Sequence, residues 1–293
     1  MGYLFTKETF VVEDDEPPLK QSDTQACVSS TKSGTSRKTT GNDRTAQFRK
    51  RYFPDVSTSQ WNDWHWQIAH RITTLEELRR FIEPTDAERQ ALEEQSNQFP
   101  FSITPYYLSL IVPEDPDSAL RKTVVPTILE ASISPGESAD PLHEDRTSPV
   151  PGIVHRYPDR VLFLTTSFCS VYCRYCTRSR LVGGHNEALE SHWKEGIDYI
   201  RRTPEIRDVV ISGGDPLTLS DDSIEWLLRE ITSIDHVEMV RIGTKVPLVL
   251  PQRITTELVK RLRRYKPIYL SVHCTHPDEI TTEAKKAFDR LAD

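Results

Sequence analysis

The 293-residue sequence has no apolar run near the roughly 20 residues that a helix needs to cross a bilayer, which argues against a helical membrane protein. The N-terminus, Met1-Gly-Tyr-Leu-Phe5, lacks a basic segment followed by an apolar core, and Glu13-Asp14-Asp15-Glu16 opposes an organelle transit peptide. Met1-Gly2 with Thr6 has the formal spacing of a myristoylation signal, but the residues between are bulky. There is no excess of positive charge. The net charge is −7, so no global basic field points to nucleic acid. Cysteine is scarce and odd in number, five in all. With no export signal, that opposes a disulfide framework and suggests a reducing, cytoplasmic setting.

Three of those five cysteines share one short run, Cys169-Ser-Val-Tyr-Cys173-Arg-Tyr-Cys176-Thr-Arg178. The spacing C-x3-C-x2-C follows closely on the strand-like Val161-Leu-Phe-Leu-Thr-Thr166. Iron–sulfur clusters normally take four cysteines. Three thiolates can hold a cubane cluster and leave its fourth iron open to another ligand, as catalytic metal sites keep one position open. A tetrahedral zinc site would want a fourth Cys or His, and His185, the nearest downstream, fits no usual spacing. Zinc and buried structural cysteine stay as the alternatives. Cys27 reads as a free thiol in a polar tail, and Cys274 as a buried residue at a strand end.

Residues 1–45 are polar and biased in composition, and the stretch 29–41 has no apolar side chain with which to build a core. A disordered tail is expected, with order beginning near Phe48. Residues 46–150 read as a helical N-terminal region and a proline-rich connection. Trp61, Trp64, Ile68 and Ile72 recur at helical steps, and Thr74-Leu-Glu-Glu77 and Thr85-Asp-Ala-Glu88 read as capping boxes. Across 151–293 the rhythm is strand then helix: 161–166 then 189–201, 208–212 then 222–231, 237–242 then 256–265, and 268–272 then 282–291. Four βα units with apolar strands predict an α/β fold, a parallel sheet covered by helices. Ligand chemistry belongs at the C-terminal strand ends, where the cysteine loop and Gly213-Gly214 both fall.

From Trp61 onward the chain resembles the lysine 2,3-aminomutase family of radical S-adenosylmethionine (SAM) enzymes. The stretches that carry the resemblance are Tyr157-Pro-Asp-Arg160, the cysteine run through Thr177-Arg178, Ser212-Gly-Gly-Asp215, Val240-Arg-Ile-Gly243, Leu250-Pro-Gln-Arg-Ile254 and His276-Pro-Asp-Glu-Ile280. Tyr175, before the third cysteine, also fits radical SAM enzymes. The resemblance implies a partial (βα) barrel after a helical region, a [4Fe–4S] cluster, SAM, and pyridoxal 5′-phosphate (PLP). It implies that a 5′-deoxyadenosyl radical removes a β-hydrogen from L-lysine held as a PLP imine. The amino group then moves from C2 to C3, giving L-β-lysine. Cys169, Cys173 and Cys176 would ligate the cluster. Gly213 and Gly214 would admit the methionine amine of SAM, and Asp215 would accept from it. Arg178 matches a substrate-carboxylate contact, for which a guanidinium fork is suited. Arg156, Tyr157 and Arg160 would meet the PLP phosphate, and Arg241 and Gln252 would line the SAM site.

The resemblance also implies features that are missing. The family's Schiff-base lysine and its acidic grip on the substrate ammonium belong to later barrel strands. The expectation is therefore a chain truncated after about four βα units, with an exposed apolar edge. Lys245 stands at a strand end but is not assigned the Schiff-base role. Expected partners are an amino acid substrate and an electron donor, with homo-oligomerisation an option. Three functions compete: a lysine aminomutase, or its front half with little β-lysine formation by itself; a glutamate 2,3-aminomutase or a relative that forms β-lysine for a translation factor; and a non-catalytic cluster-binding fragment.

Overall fold

Five strands form one sheet in the order β1-β2-β3-β4-β5: β1 is Ile153–Tyr157, β2 Arg160–Thr166, β3 Asp208–Gly213, β4 Met239–Thr244 and β5 Ile268–Val272. The computed structural model describes residues 41–94, 99–132, 134–183 and 190–292. Strands β2 to β5 run parallel, as the strand–helix rhythm predicts. The helices Trp193–Arg201, Asp221–Thr232, Thr256–Leu262 and Thr282–Ala292 follow them in turn.

The alternation of side chains along each strand divides the sheet into two faces. Val161, Val209 and Val240 stand in register, as do Phe163, Ile211 and Ile242, and all six are buried in the core beneath the helices. Full burial of one such side chain contributes roughly 1.5–3 kcal/mol. The helices answer with matching stripes. In Asp221–Thr232 the buried residues are Ile224, Leu227, Leu228 and Ile231, spaced for one helical face, and Ser220 caps its first turn. The other sheet face carries Leu162, Val210, Arg241 and Tyr269 in a register row, half-buried or exposed.

Several expectations need correction. β1 is an antiparallel strand that the strand–helix rhythm did not predict, and Tyr157-Pro-Asp-Arg160 is the turn joining it to β2. β4 begins at Met239, two residues later than predicted. Order does not wait for Phe48: a helix spans Gly41–Tyr52, and Phe48 and Tyr52 pack against Phe81. Residues 1–40, including Cys27, lie outside the described residues, as does His185.

The periodicity from Trp61 to Ile72 is not one helix. It breaks into Thr58–Trp61 and Trp64–Ala69, and Ile72 makes an isolated bridge to Ile103. Trp61 and Ile72 face one core while Trp64 and Ile68 pack against the other. Both predicted capping boxes are present, at Thr74/Glu77 and Thr85/Glu88. The regions before and after residue 150 share a core. Val171 and Val249 sit in the N-terminal core, and Tyr106 and Tyr107 bond to Thr281 and Glu279 at 2.6 and 2.8 Å. The outer edge of β5 pairs with no strand among the described residues.

Candidate functional site

The loop leaving β2 carries Cys169, Cys173 and Cys176, all free thiols. They line one cavity of about 380 Å³ together with Gly213, Gly214 and Asp215 after β3, Lys245 after β4 and His273 after β5. Every parallel strand therefore delivers its C-terminal end to the cysteines, as the fold class requires.

The loop is held in place by main chain. Tyr172 N–H donates to the Ser102 carbonyl (3.1 Å), and Arg174 N–H to that of Thr123 (2.8 Å). Gly214 and Asp215 N–H groups donate to the carbonyls of Thr166 and Phe168. This approach is why glycine stands at both positions. A Cβ at Gly213, whose φ is +129°, would lie 2.3 Å from the Thr166 carbonyl oxygen, and one at Gly214 would lie 2.4 Å from that of Phe168.

Burial pushes all three thiols above their ordinary range, most strongly Cys169, where the charge of Asp215 adds to the effect. Among the described residues no three His, Cys, Asp or Glu side chains converge closely enough for a single metal ion. Three thiols on one cavity beside a glycine-lined backbone fit an iron–sulfur cube with an open corner and a ligand against it.

The other predicted residues divide. Asp215 lines the cavity but is not free to accept from a ligand amine. Its carboxylate already takes the Thr244 hydroxyl (2.6 Å) and the N–H groups of Lys245 (2.7 Å), Val246 (3.1 Å) and Leu217 (3.2 Å). It braces the β3 and β4 ends against each other. Arg241 does not reach the cysteine cavity. It sits low on the inner face, where Asp208 captures it at 2.6 Å. Gln252 does not line the cavity either, and its buried amide has no partner among the described residues.

Arg178 borders the cysteine cavity, and it also borders a second cavity of about 260 Å³ that contains Arg156, Tyr157 and Arg160. These three belong to the β1–β2 hairpin, at the opposite end of the strands from the cysteines. Arg160 pairs with Asp208 at 2.7 Å, Arg156 donates to the Leu142 carbonyl, and Tyr157 is exposed. The guanidiniums of Arg156 and Arg160 on this cavity suit a phosphate. No lysine lines it, so the residues present fit the phosphate of PLP and not its imine. Lys245 is engaged elsewhere, with its ammonium 2.7 Å from the fully buried Glu279. Cys274 is exposed, not buried, and stands two residues past the end of β5 at Val272.

Sequence reasoning missed four side chains. Glu144 holds Arg178 through three hydrogen bonds of 2.7–3.1 Å. Glu130 grips Arg174 of the cysteine loop, Glu279 pairs with Lys245, and Arg71 donates to the Cys169 carbonyl at 3.2 Å. Only Glu279 lies in a stretch that stood out, His276-Pro-Asp-Glu-Ile280. The others act across 34 or more residues and leave no local pattern.

Comparison with known proteins agrees with this geometry. Residues 163–290 match the Radical SAM superfamily. The chain is 49% identical over 246 residues to the L-lysine 2,3-aminomutase of Clostridium subterminale, covering 84% of this chain and 59% of that protein. It is 45% identical over 238 residues to the L-lysine 2,3-aminomutase of Bacillus subtilis, covering 81% and 50%. It is 42% identical over 233 residues to the glutamate 2,3-aminomutase of Clostridioides difficile, covering 79% and 55%. The chain thus spans 50–59% of the length of these three relatives. The cysteine loop, the parallel sheet and these identities together give the chain a Radical SAM domain and a similarity, over most of its length, to the L-lysine 2,3-aminomutases.

Proposed function

We propose that the protein is a radical SAM aminomutase that moves the amino group of an α-amino acid from C2 to C3, with L-lysine as substrate and L-β-lysine as product. The observation that carries this reading is the convergence of Cys169, Cys173 and Cys176 with Gly213 and Gly214 on one cavity at the strand ends. When bound, a [4Fe–4S] cluster and SAM, with one electron from an external donor, supply the 5′-deoxyadenosyl radical that such chemistry needs.

The chain's own residues do the holding. The three thiolates bind iron. Gly213 and Gly214 keep the cavity wall free of side chains, so that a ligand can lie against backbone. Arg178, on the border of the cysteine and hairpin cavities, offers the free end of its guanidinium to the substrate carboxylate. Arg156 and Arg160 hold the phosphate of PLP, with Tyr157 beside them.

A glutamate substrate is the second reading, supported by the 42% identity to a glutamate 2,3-aminomutase. Both substrates present the same α-carboxylate to Arg178, so that contact does not choose between them. The deciding experiment loads the protein with iron and sulfide, adds SAM and dithionite, and follows products by chromatography. Methionine and 5′-deoxyadenosine in amounts that depend on Cys169 support the radical SAM reading. Conversion of L-lysine or of L-glutamate to its β-isomer, with PLP added, names the substrate. A protein that holds the cluster and cleaves no SAM leaves only the non-catalytic, cluster-binding reading.

A further inference from the structure

Each cysteine of the loop has a cation within electrostatic reach: Arg71 for Cys169, Lys245 for Cys173, and Arg174 and Arg178 for Cys176. Three of these four cations are matched by carboxylates. Lys245 pairs with Glu279 at 2.7 Å, Arg178 with Glu144 at 2.7 Å and Arg174 with Glu130 at 2.5 Å. Arg71 is the exception: among the described residues it has no ion-pair partner. It sits two residues past the helix Trp64–Ala69, yet its guanidinium reaches 98 residues along the chain to the Cys169 carbonyl at 3.2 Å. Two further contacts fix it there. Its Nε donates to the Ile68 carbonyl at 3.1 Å, and the guanidinium lies 4.4 Å from the centre of the Phe168 ring. The group is largely withdrawn from water, which disfavours its charge and strengthens its field at short range.

We propose that Arg71 sets the reduction potential of the cluster held by Cys169, Cys173 and Cys176, acting from outside the ligand set as its uncompensated positive charge. This rests on the reading that those cysteines hold a [4Fe–4S] cluster. The physical reason is charge. Reduction from [4Fe–4S]2+ to [4Fe–4S]+ by an external donor such as dithionite adds one negative charge to a site that already bears three thiolates. A nearby fixed cation stabilises that extra charge and raises the potential, as net charge and the groups around a cluster do in general. Asp215 opposes it, since its charge also reaches Cys169. The carboxylate of Asp215 is shared among four donors, whereas the charge of Arg71 has no carboxylate to neutralise it. Arg71 is thus a positioning residue for Cys169 and a source of field for the cluster. It touches neither substrate nor reacting atoms.

The test is a potentiometric titration of the reconstituted cluster followed by EPR, in the 293-residue chain and in Arg71→Gln and Arg71→Lys. The expected result is a midpoint moved to more negative potential in Arg71→Gln and a midpoint near that of the original chain in Arg71→Lys, which keeps the charge. An arginine that only packs the loop would lower iron content in both variants and leave the midpoint of the loaded fraction unmoved. That outcome overturns the proposal. If Arg71→Gln does not fold, Arg71→Met takes its place as the variant that removes the charge, with the same expected shift, and Arg71→Lys remains the control in which a clearly shifted potential contradicts a role for charge. An original chain that takes up no cluster overturns the cysteine reading itself, and this assignment with it.

Discussion

Glu144 grips one edge of the Arg178 guanidinium and leaves the other free. Arg178 donates from Nε to both Glu144 oxygens (2.9 and 3.1 Å) and from Nη2 to one of them (2.7 Å), and Nη1 has no hydrogen-bond partner among the described residues. The Glu144 side chain is 6% exposed and that of Arg178 22% exposed, so the fork is aimed before any ligand arrives. Replacing Arg178 by Lys removes the fork and keeps the charge. The loss of a charge-assisted hydrogen bond costs about 2 kcal/mol, roughly a 30-fold loss of amino acid affinity. Calorimetric titration of the SAM-loaded protein with L-lysine and L-glutamate would show it. An unchanged affinity for both would remove Arg178 from the carboxylate site.

The Lys245–Glu279 pair is a structural bolt beside the cysteines. Glu279 also accepts from Tyr107 (2.8 Å) and from the Thr275 N–H (2.7 Å), so it ties the N-terminal region to the end of the sheet. Removing one partner of a buried pair leaves the other charge stranded, at about 3–5 kcal/mol. Glu279→Gln and Lys245→Met should each destabilise on that scale, and the double variant by less than the sum. Denaturant unfolding of all four proteins completes the cycle. Strict additivity would mean that the two side chains do not interact.

Stability should fall in acid. Burial would raise the carboxyls of Glu279 and Glu88, but Lys245, Tyr107 and the Thr275 N–H hold Glu279 below the ordinary range, and Arg121 and the Thr85 N–H do the same for Glu88. A carboxyl depressed in the folded state adds stability that is fully present above its unfolded pKa, about 4.3, and is lost as pH falls through the lower folded value. Unfolding midpoints between about pH 7 and pH 5 should therefore be nearly level with respect to these two groups and drop below about pH 4.3. Replacing both glutamates by glutamine should flatten that drop; an equally steep fall in the double variant would assign it elsewhere.

Gly214→Ala should damage the site from the backbone outward. Its Cβ would meet the carbonyl oxygen, carbon and nitrogen of Phe168 at 2.4, 2.7 and 2.9 Å, so the cysteine loop must move. Overpacking of this kind costs about 1–3 kcal/mol. The expected signs are a lower unfolding midpoint and reduced iron uptake. Full iron loading at unchanged stability would show that the loop has slack the structure does not suggest.

The parts legible in the sequence were those written locally. β2, β3 and β5 announce themselves as apolar runs of strand length, and the cysteine spacing sits after β2 where the fold needs it. β1 was hidden because Ile153-Val-His-Arg-Tyr157 is half polar, with only its first two residues buried. Trp61 to Ile72 misled for another reason: the helical spacing is real, but Trp61 and Ile72 serve one core and Trp64 and Ile68 the other, and the chain breaks between Trp61 and Trp64. Of the candidate site, the three cysteines were readable as a group and their electrostatic partners were not. The Arg178–Glu144 and Arg71–Cys169 contacts join residues 34 and 98 positions apart, and no periodicity marks either one. A motif gives neighbours in sequence, whereas the neighbours that take up hydrogen bonds of Asp215 and Arg241, Thr244 and Asp208, come from adjacent strands.

Whether Cys169, Cys173 and Cys176 hold a cluster with one iron open to SAM decides everything else about the site. EPR of the anaerobically reconstituted, dithionite-reduced chain, with and without SAM, addresses it directly. The expected result is a [4Fe–4S]+ signal that changes shape when SAM is added and disappears when any of the three cysteines is replaced by serine, while Cys274→Ser leaves it intact. A chain that binds no cluster, or a cluster signal indifferent to SAM, would contradict the open-iron reading.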